Sequence, residues 1–147
     1  MTDQHPESGA DRAIAPFVDA RFTCARCGNE AGRVTLIPRG AVDPISPGPD
    51  IFAGSMSRIV IDAGRLSITI GRPKVDVDGL ASALGAADPA ALFAVNREYA
   101  PFWCPDCAAI YCAAEWRLWD VFDPEWPDWW EELRGACPNG HERWIFD

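Results

Sequence analysis

The sequence predicts a small α+β fold with antiparallel sheets, and three observations carry that prediction. Arg58-Ile59-Val60-Ile61-Asp62 and Leu66-Ser67-Ile68-Thr69-Ile70 flank Ala63-Gly64. Alternation on both sides of a Gly-containing turn is the mark of a β-hairpin. Helical texture is confined to a stretch after Pro73, where Asp88-Pro89 offers an N-cap followed by proline at the first helical position. All six cysteines fall into spaced pairs: Cys24-x2-Cys27, then 76 residues, Cys104-x2-Cys107-x4-Cys112-x2-Glu115, then 21 residues, Cys137-x3-His141.

In chain order, residues 1–20 form an expected flexible tail, polar except for Ile14, Phe17 and Val18. A single domain is expected over 21–147. Arg21-Phe22-Thr23 leads into the first cysteine pair, and Gly28 suits a tight turn behind it. Gly32-Arg33-Val34-Thr35-Leu36-Ile37 reads as the strand leaving that turn. A long loop follows over 38–56, with four prolines and two glycines by Pro49. In the hairpin, Leu66, Ile68 and Ile70 are expected to face the core. Asp78 is expected to cap a short helix over Gly79–Gly85, and Asp88 a second one running to about Glu98. Ala100-Pro101 stops it. Arg117–Phe122 and Arg143–Phe146 read as strands, and Trp129–Arg134 as a strand in preference to a helical turn.

Charge and length exclude several functions. No apolar run approaches the ~18 residues that a membrane-spanning helix needs. Met1–Ala20 has neither the basic nor the apolar region of a secretory leader, so a reducing, cytoplasmic setting is expected. There, Cys-x2-Cys pairs mean metal or redox chemistry and not disulfide staples. The net charge of −9 falls to near −11 once two Zn²⁺ and six thiolates are counted, which disfavours a nucleic-acid partner. Twelve arginines against the single Lys74 point to a GC-rich, bacterial genome.

A Cys-x2-Cys turn supplies two of the four ligands of tetrahedral zinc. With four such pairs, two zinc ions are expected as cofactors. The pairs can be joined sequentially, nested or crossed. Crossed pairing groups Cys24, Cys27, Cys112 and Glu115, and separately Cys104, Cys107, Cys137 and His141. It lets the four-residue spacer aim the two middle pairs apart, and each ion then closes a long loop. The ligand order resembles that of the cross-braced, treble-clef-like zinc fingers (PHD, FYVE and, more distantly, RING). That resemblance covers roughly 21–30 and 100–147, and it implies the crossed pairing. It also implies that 30–100 is an inserted hairpin and short-helix subdomain, since those families place far fewer residues there. Glu115 stands where Cys or His is expected. The first site is therefore Cys3Glu, or is completed by water or another group, or is degraded with Glu115 a solvated carboxylate. His5, in the polar tail, reads as a plain surface histidine.

Seven tryptophans are many for this length. Trp103, Trp116 and Trp144 are expected in the core, packed over the cysteine turns. Trp126, Trp129 and Trp130 stand among acids in Glu125-Trp126-Pro127-Asp128-Trp129-Trp130-Glu131-Glu132. They read either as core or as a patch for a protein partner bearing cations or apolar groups. The leading expectation for function is a protein-interaction module with structural zinc. The alternatives are a zinc-dependent enzyme using an open Cys/Glu site, with Glu115 as its base, and a nucleic-acid-binding zinc ribbon.

Overall fold

The computed structural model describes residues 18–41, 57–71 and 77–147. His5 and most of the expected 38–56 loop lie outside them. β1 (Val18–Thr23) and β2 (Glu30–Ile37) fold back on each other about the first cysteine turn. β3 (Arg58–Ala63) and β4 (Leu66–Gly71) extend this into a four-stranded antiparallel sheet in the order β1-β2-β3-β4. Alternation survives in β4, where Ile68 is buried and Ser67 and Thr69 are exposed. It is lost in β3, where Ile59, Val60 and Ile61 are all buried, as befits an inner strand covered on both faces.

One face of the sheet carries Ala20, Phe22, Val34, Leu36, Ile59, Ile61 and Ile68 into the main core. Register explains the grouping, since Ile61 stands opposite both Val34 and Ile68, and Ile59 opposite Leu36. Two short helices add to this core. In α1 (Val77–Gly85), Leu80, Ala83 and Leu84 are buried at the i, i+3, i+4 spacing of one helix face. In α2 (Pro89–Val95), the Asp88 carboxylate accepts from the N–H groups of Ala90 (3.1 Å) and Ala91 (3.2 Å). Leu92 is its fully buried residue.

Three expected boundaries move. The tail ends earlier than residue 20, because Val18, Ala20 and Phe22 alternate and the last two are buried, so Val18-Asp19-Ala20 joins β1. Asp78 lies within the first turn of α1, which begins at Val77. α2 stops at Val95 rather than near Glu98. Asn96 is extended and its side chain accepts from the Glu98 N–H at 3.0 Å, opening a separate 3₁₀ turn over Arg97–Tyr99. The expected start of the insertion at residue 30 coincides with β2, whose pairing with β1 runs the sheet straight across it.

The remaining chain builds a two-stranded ribbon, β5 (Trp103–Cys104) with β6 (Ala109–Ile110), and a three-stranded meander. The meander consists of β7 (Arg117–Phe122), β8 (Trp130–Ala136) and β9 (Glu142–Phe146). Trp116 is buried and its indole N–H donates to the Tyr111 carbonyl at 2.9 Å. Trp103 and Trp144 are half-buried, and the Arg97 guanidinium lies 4.4 Å from the Trp144 ring centre.

Phe102 ties this part to the sheet, and Arg143 ties the meander to α2 and the segment that follows it. Phe102, 2% exposed, stacks on Phe22 with ring centres 4.6 Å apart. Arg143 in β9 donates to the carbonyls of Ala100 (2.9 Å), Trp103 (2.6 Å) and Arg97 (3.1 Å), with its guanidinium 5.0 Å from the Phe93 ring centre. Burial, with the nearby Arg97 charge, lowers its pKa to about 10.

Gly32 meets Phe102 so closely that a Cβ there would stand 2.5 Å from the ring. The ring is enclosed and has nowhere to move. Gly32→Ala is expected to destabilise the fold by about 1–3 kcal/mol, the usual cost of overpacking. Urea denaturation should show a lower midpoint at an unchanged slope.

Candidate metal centre

Three tight turns present the candidate ligands. In the first, the Cys24 N–H donates to the Asn29 carbonyl (2.8 Å) and the Gly28 N–H to the Cys24 carbonyl (3.0 Å). Gly28 takes φ +77°, which a residue without Cβ adopts freely. In the second, Ala108 occupies the equivalent place after Cys107 at φ +51°, a strained choice for a residue with a Cβ. The Cys107 N–H points at the Cys104 sulfur (3.4 Å). In the third, the Gly140 N–H donates to the Cys137 carbonyl (2.8 Å) and the Asn139 N–H to the Cys137 sulfur (3.3 Å).

The ligand-type atoms gather into two groups, each within 4.8 Å. One is Cys104, Cys107, Cys137 and His141, and the other is Cys24, Cys27 and Cys112. This is the crossed grouping. Cys107 and Cys112 are close in sequence yet serve different groups. β6 carries the chain between them, and its Ile110 carbonyl accepts from the Ala25 N–H in the first turn at 2.8 Å.

In the four-membered group, His141 Nδ1 lies 3.7, 3.2 and 3.4 Å from the sulfurs of Cys104, Cys107 and Cys137, and Cys107 lies 3.8 Å from Cys137. A ring nitrogen has one proton or one lone pair, so it cannot satisfy three sulfurs by hydrogen bonding. Around a tetrahedral zinc with Zn–S near 2.3 Å and Zn–N near 2.0–2.1 Å, the S···S edge is ~3.8 Å and the S···N edge ~3.6 Å. The donor set and its spacing fit that ion. In the other group, the Cys27 and Cys112 sulfurs are 3.5 Å apart, with Cys24 and Cys112 buried and Cys27 exposed. Glu115 stands outside it. Its carboxylate lies 3.7 Å from the Arg26 guanidinium, and its N–H closes a turn on the Cys112 carbonyl at 2.9 Å.

The surroundings shift the thiols of each group in opposite directions. The Cys107 thiol is lowered to about 6, first by the Asn139 amide and then by the Tyr111 hydroxyl. Tyr111 is correspondingly raised to about 12 by its hydrogen bond to Cys107. Burial raises Cys104 to about 11. Burial also opposes the Cys24 thiolate, but backbone N–H groups of Cys27, Cys112 and Arg26 prevail and lower it to about 7. Cys27 is raised: the Asn29 N–H favours its thiolate, and the hydrogen bonds shared with Cys112 and Cys24 outweigh it. Adjacent sulfurs cannot all be anionic without a positive ion among them, and a bound divalent cation deprotonates its thiols outright.

Asn139 is a neighbour of this group that the spacing does not reveal. Its Nδ2 donates to both the Cys107 sulfur (3.2 Å) and the Tyr111 hydroxyl (3.3 Å). The only sequence signal for it is its position inside a Cys-Pro-Asn-Gly-His turn.

The β7–β8 connection holds the other exposed feature. Among the described residues, the exposed large apolar side chains are Phe122, Trp126, Trp129 and Trp130, with Trp126 and Trp129 at 70% and 68% exposure. The tip is well held by hydrogen bonds. Asp123 accepts from the N–H groups of Glu125 (2.7 Å) and Trp126 (3.3 Å), and the Trp129 N–H donates to the Trp126 carbonyl (2.8 Å). The Trp130 indole N–H donates to Asp120 at 2.9 Å. Desolvation, then the hydrogen bond and charge of Asp123, raise the Glu131 carboxyl above its usual range.

Comparison with known proteins gives a family model that matches residues 16–147 and is described as Domain of unknown function (DUF8328). No curated protein and no solved structure matches the chain.

Asn139→Ala removes the donor that favours the Cys107 thiolate. In metal-free protein the Cys107 pKa is expected to rise from about 6, read from the pH dependence of its alkylation rate. Zinc affinity at this group should fall roughly 10–100-fold, as for the loss of other outer-shell partners, measured by competition with a chromogenic chelator.

Proposed function

The chain belongs to the DUF8328 family, and we propose that it is a zinc-binding protein-interaction module. In this reading Cys104, Cys107, Cys137 and His141 hold one zinc ion, and Cys24, Cys27 and Cys112 contribute to a second. Both ions are structural. Zinc takes the cysteines as thiolates, ties the three turns together and supplies no chemistry to a substrate.

One observation carries the interaction role. The large apolar side chains exposed among the described residues all sit on one hairpin. That hairpin, β7–β8, runs from just beyond Cys112 to Ala136, next to Cys137, so each end is fixed by a different ligand group. A tip held rigid in this way presents its indoles without a large ordering cost on binding. Asp120, Asp123, Glu125, Asp128, Glu131 and Glu132 surround them, and Arg134 is already paired with Glu132 at 3.0 Å. Indole faces among carboxylates suit a polypeptide segment bearing Lys or Arg, through cation–π and charge attraction. The same acids repel a phosphate backbone.

Purified protein is expected to contain two zinc ions per chain by metal analysis. A strong chelator should unfold it, since structural zinc contributes on the order of 10 kcal/mol of apparent folding free energy. Circular dichroism that is unchanged after complete chelation overturns the structural role.

Tryptophan fluorescence titrated with an oligoarginine peptide tests the docking surface. The wild type should show a saturable change that weakens as salt rises. The double variant Trp126→Ala/Trp129→Ala should keep its stability within about 0.5 kcal/mol, as exposed substitutions do. Its affinity, followed by calorimetry, should fall at least tenfold. Equal affinity of variant and wild type would reduce the contact to charge alone and sink the proposal.

A further inference from the structure

We propose that the free edge of β7 pairs with the same edge of a second copy of this chain, joining two meanders into one antiparallel sheet about a two-fold axis at Trp119. This goes beyond the reading above and needs neither zinc nor the indoles of the tip.

The edge comes first. β7 is hydrogen-bonded to β8, and no strand runs along its other side among the described residues. It carries half-buried Leu118, Trp119 and Val121 and ends on Phe122, which is 48% exposed. Backbone groups that β8 does not reach thus lie beside apolar side chains, and such an edge is a template for another strand. The irregularity near its end falls in β8, where Glu131 is the extra residue, so β7 itself alternates without interruption.

Symmetry limits the register. A two-fold axis perpendicular to the sheet keeps each face of one copy level with the same face of the other. Even-numbered residues then stand opposite even-numbered ones, and odd opposite odd. The longest overlap of a strand spanning Arg117–Phe122 centres on Trp119 or Asp120. Centring on Asp120 sets two carboxylates directly opposite, which is repulsive. Centring on Trp119 joins two indoles, and places Leu118 opposite Asp120, Arg117 opposite Val121 and Trp116 opposite Phe122.

That register is self-complementary. Phe122 of the second copy arrives beside Trp116, at a cavity of about 390 Å³ lined by Gly64, Arg65, Ala113, Ala114 and Trp116. Arg65, exposed and bordering the recess of Leu118 and Asp120, gains the Asp120 carboxylate of the second copy. On the other face Arg117, its guanidinium 4.7 Å from its own Trp119 ring centre, stands diagonal to Asp123 of the second copy. Each contact occurs twice. Parallel pairing in register would set Arg117 beside Arg117 and acid beside acid. Two chains at −9 repel overall, but salt confines that field to ~8 Å, and at the edge itself the facing charges are opposite. Trp126 and Trp129 lie beyond the paired strands, so the dimer carries two tips at opposite ends.

Sedimentation velocity on the full chain tests the proposal. The wild type should form a species of twice the 16.1 kDa chain mass, and hydrogen exchange at β7 amides should slow as it forms. Phe122→Asp and Arg65→Asp alter exposed side chains, so each should keep its circular dichroism and raise the dissociation constant on the order of tenfold or more. Exchanging the charges in Arg65→Asp/Asp120→Arg should restore association. Trp126→Ala/Trp129→Ala should dimerise as the wild type does even where oligoarginine binding is lost, so this surface and the peptide site fail separately. A wild type that stays monomeric up to its solubility limit overturns the proposal. A dimer that ignores both single variants, or leaves the β7 amides unprotected, joins through another surface and overturns it too. A folded charge-exchange variant that stays monomeric removes the register and has the same effect.

Discussion

The whole arrangement depends on residues 104–112, a short stretch that belongs to both ligand groups at once. Cys104 and Cys107 turn to one side and meet Cys137 and His141. Cys112 turns to the other and meets Cys24 and Cys27 across 85 residues of sequence. Closing so long a loop costs little more than closing a short one, because the entropy grows only with the logarithm of length. Backbone bonds reinforce the tie. Ile110 accepts from Ala25 of the first turn, and the Tyr111 N–H donates to the Phe102 carbonyl at 2.9 Å. The ribbon and the first cysteine turn are thus joined by backbone as well as by the approach of their sulfurs.

Apolar packing and polar contacts complete the junction. Phe102 passes from the cysteine region into the sheet and settles against Phe22 over the space left by Gly32. Arg143 works from the opposite direction. It leaves β9 and gathers three carbonyls, of Arg97, Ala100 and Trp103, the first two of which also accept backbone N–H groups of the 3₁₀ turn and its exit. Removing that guanidinium breaks three contacts at once between β9 and the segment 97–103. The indole-bearing hairpin lies beyond this junction, on the meander to which Arg143 belongs.

Much of this was legible in residue order, and the reasons are local. The β3–β4 hairpin announced itself because its turn and one of its strands keep a period of two. The start of α2 was legible because Asp and Pro act on the N–H groups immediately beside them. The cysteine groups could be read because ligand spacing is dictated by turn geometry. Other features depended on neighbours that sequence does not display. Val18 and Ala20 looked like tail residues until β2 supplied a partner strand. The end of α2 turned on whether Asn96 would continue one helix or open another. The role expected of Glu115 came from its place in a ligand series, and its carboxylate instead finds Arg26. Nothing around Asn139 or Arg143 in the sequence signals which sulfur or carbonyls they reach.

The separation of the ligands along the chain sets an order of events during vectorial synthesis. β1 to β4 can pair while the rest is still within the ribosome, but the Cys24 turn then waits for Cys112 to emerge. Cys107 waits for His141, 34 residues after itself. During that interval the nascent chain carries cysteines whose partners in the folded structure have not yet been made. The length of the β7–β8 segment thus sets how much chain must follow Cys112 before Cys137 and His141 can join Cys104 and Cys107, which gives that hairpin a place in assembly as well as in shape.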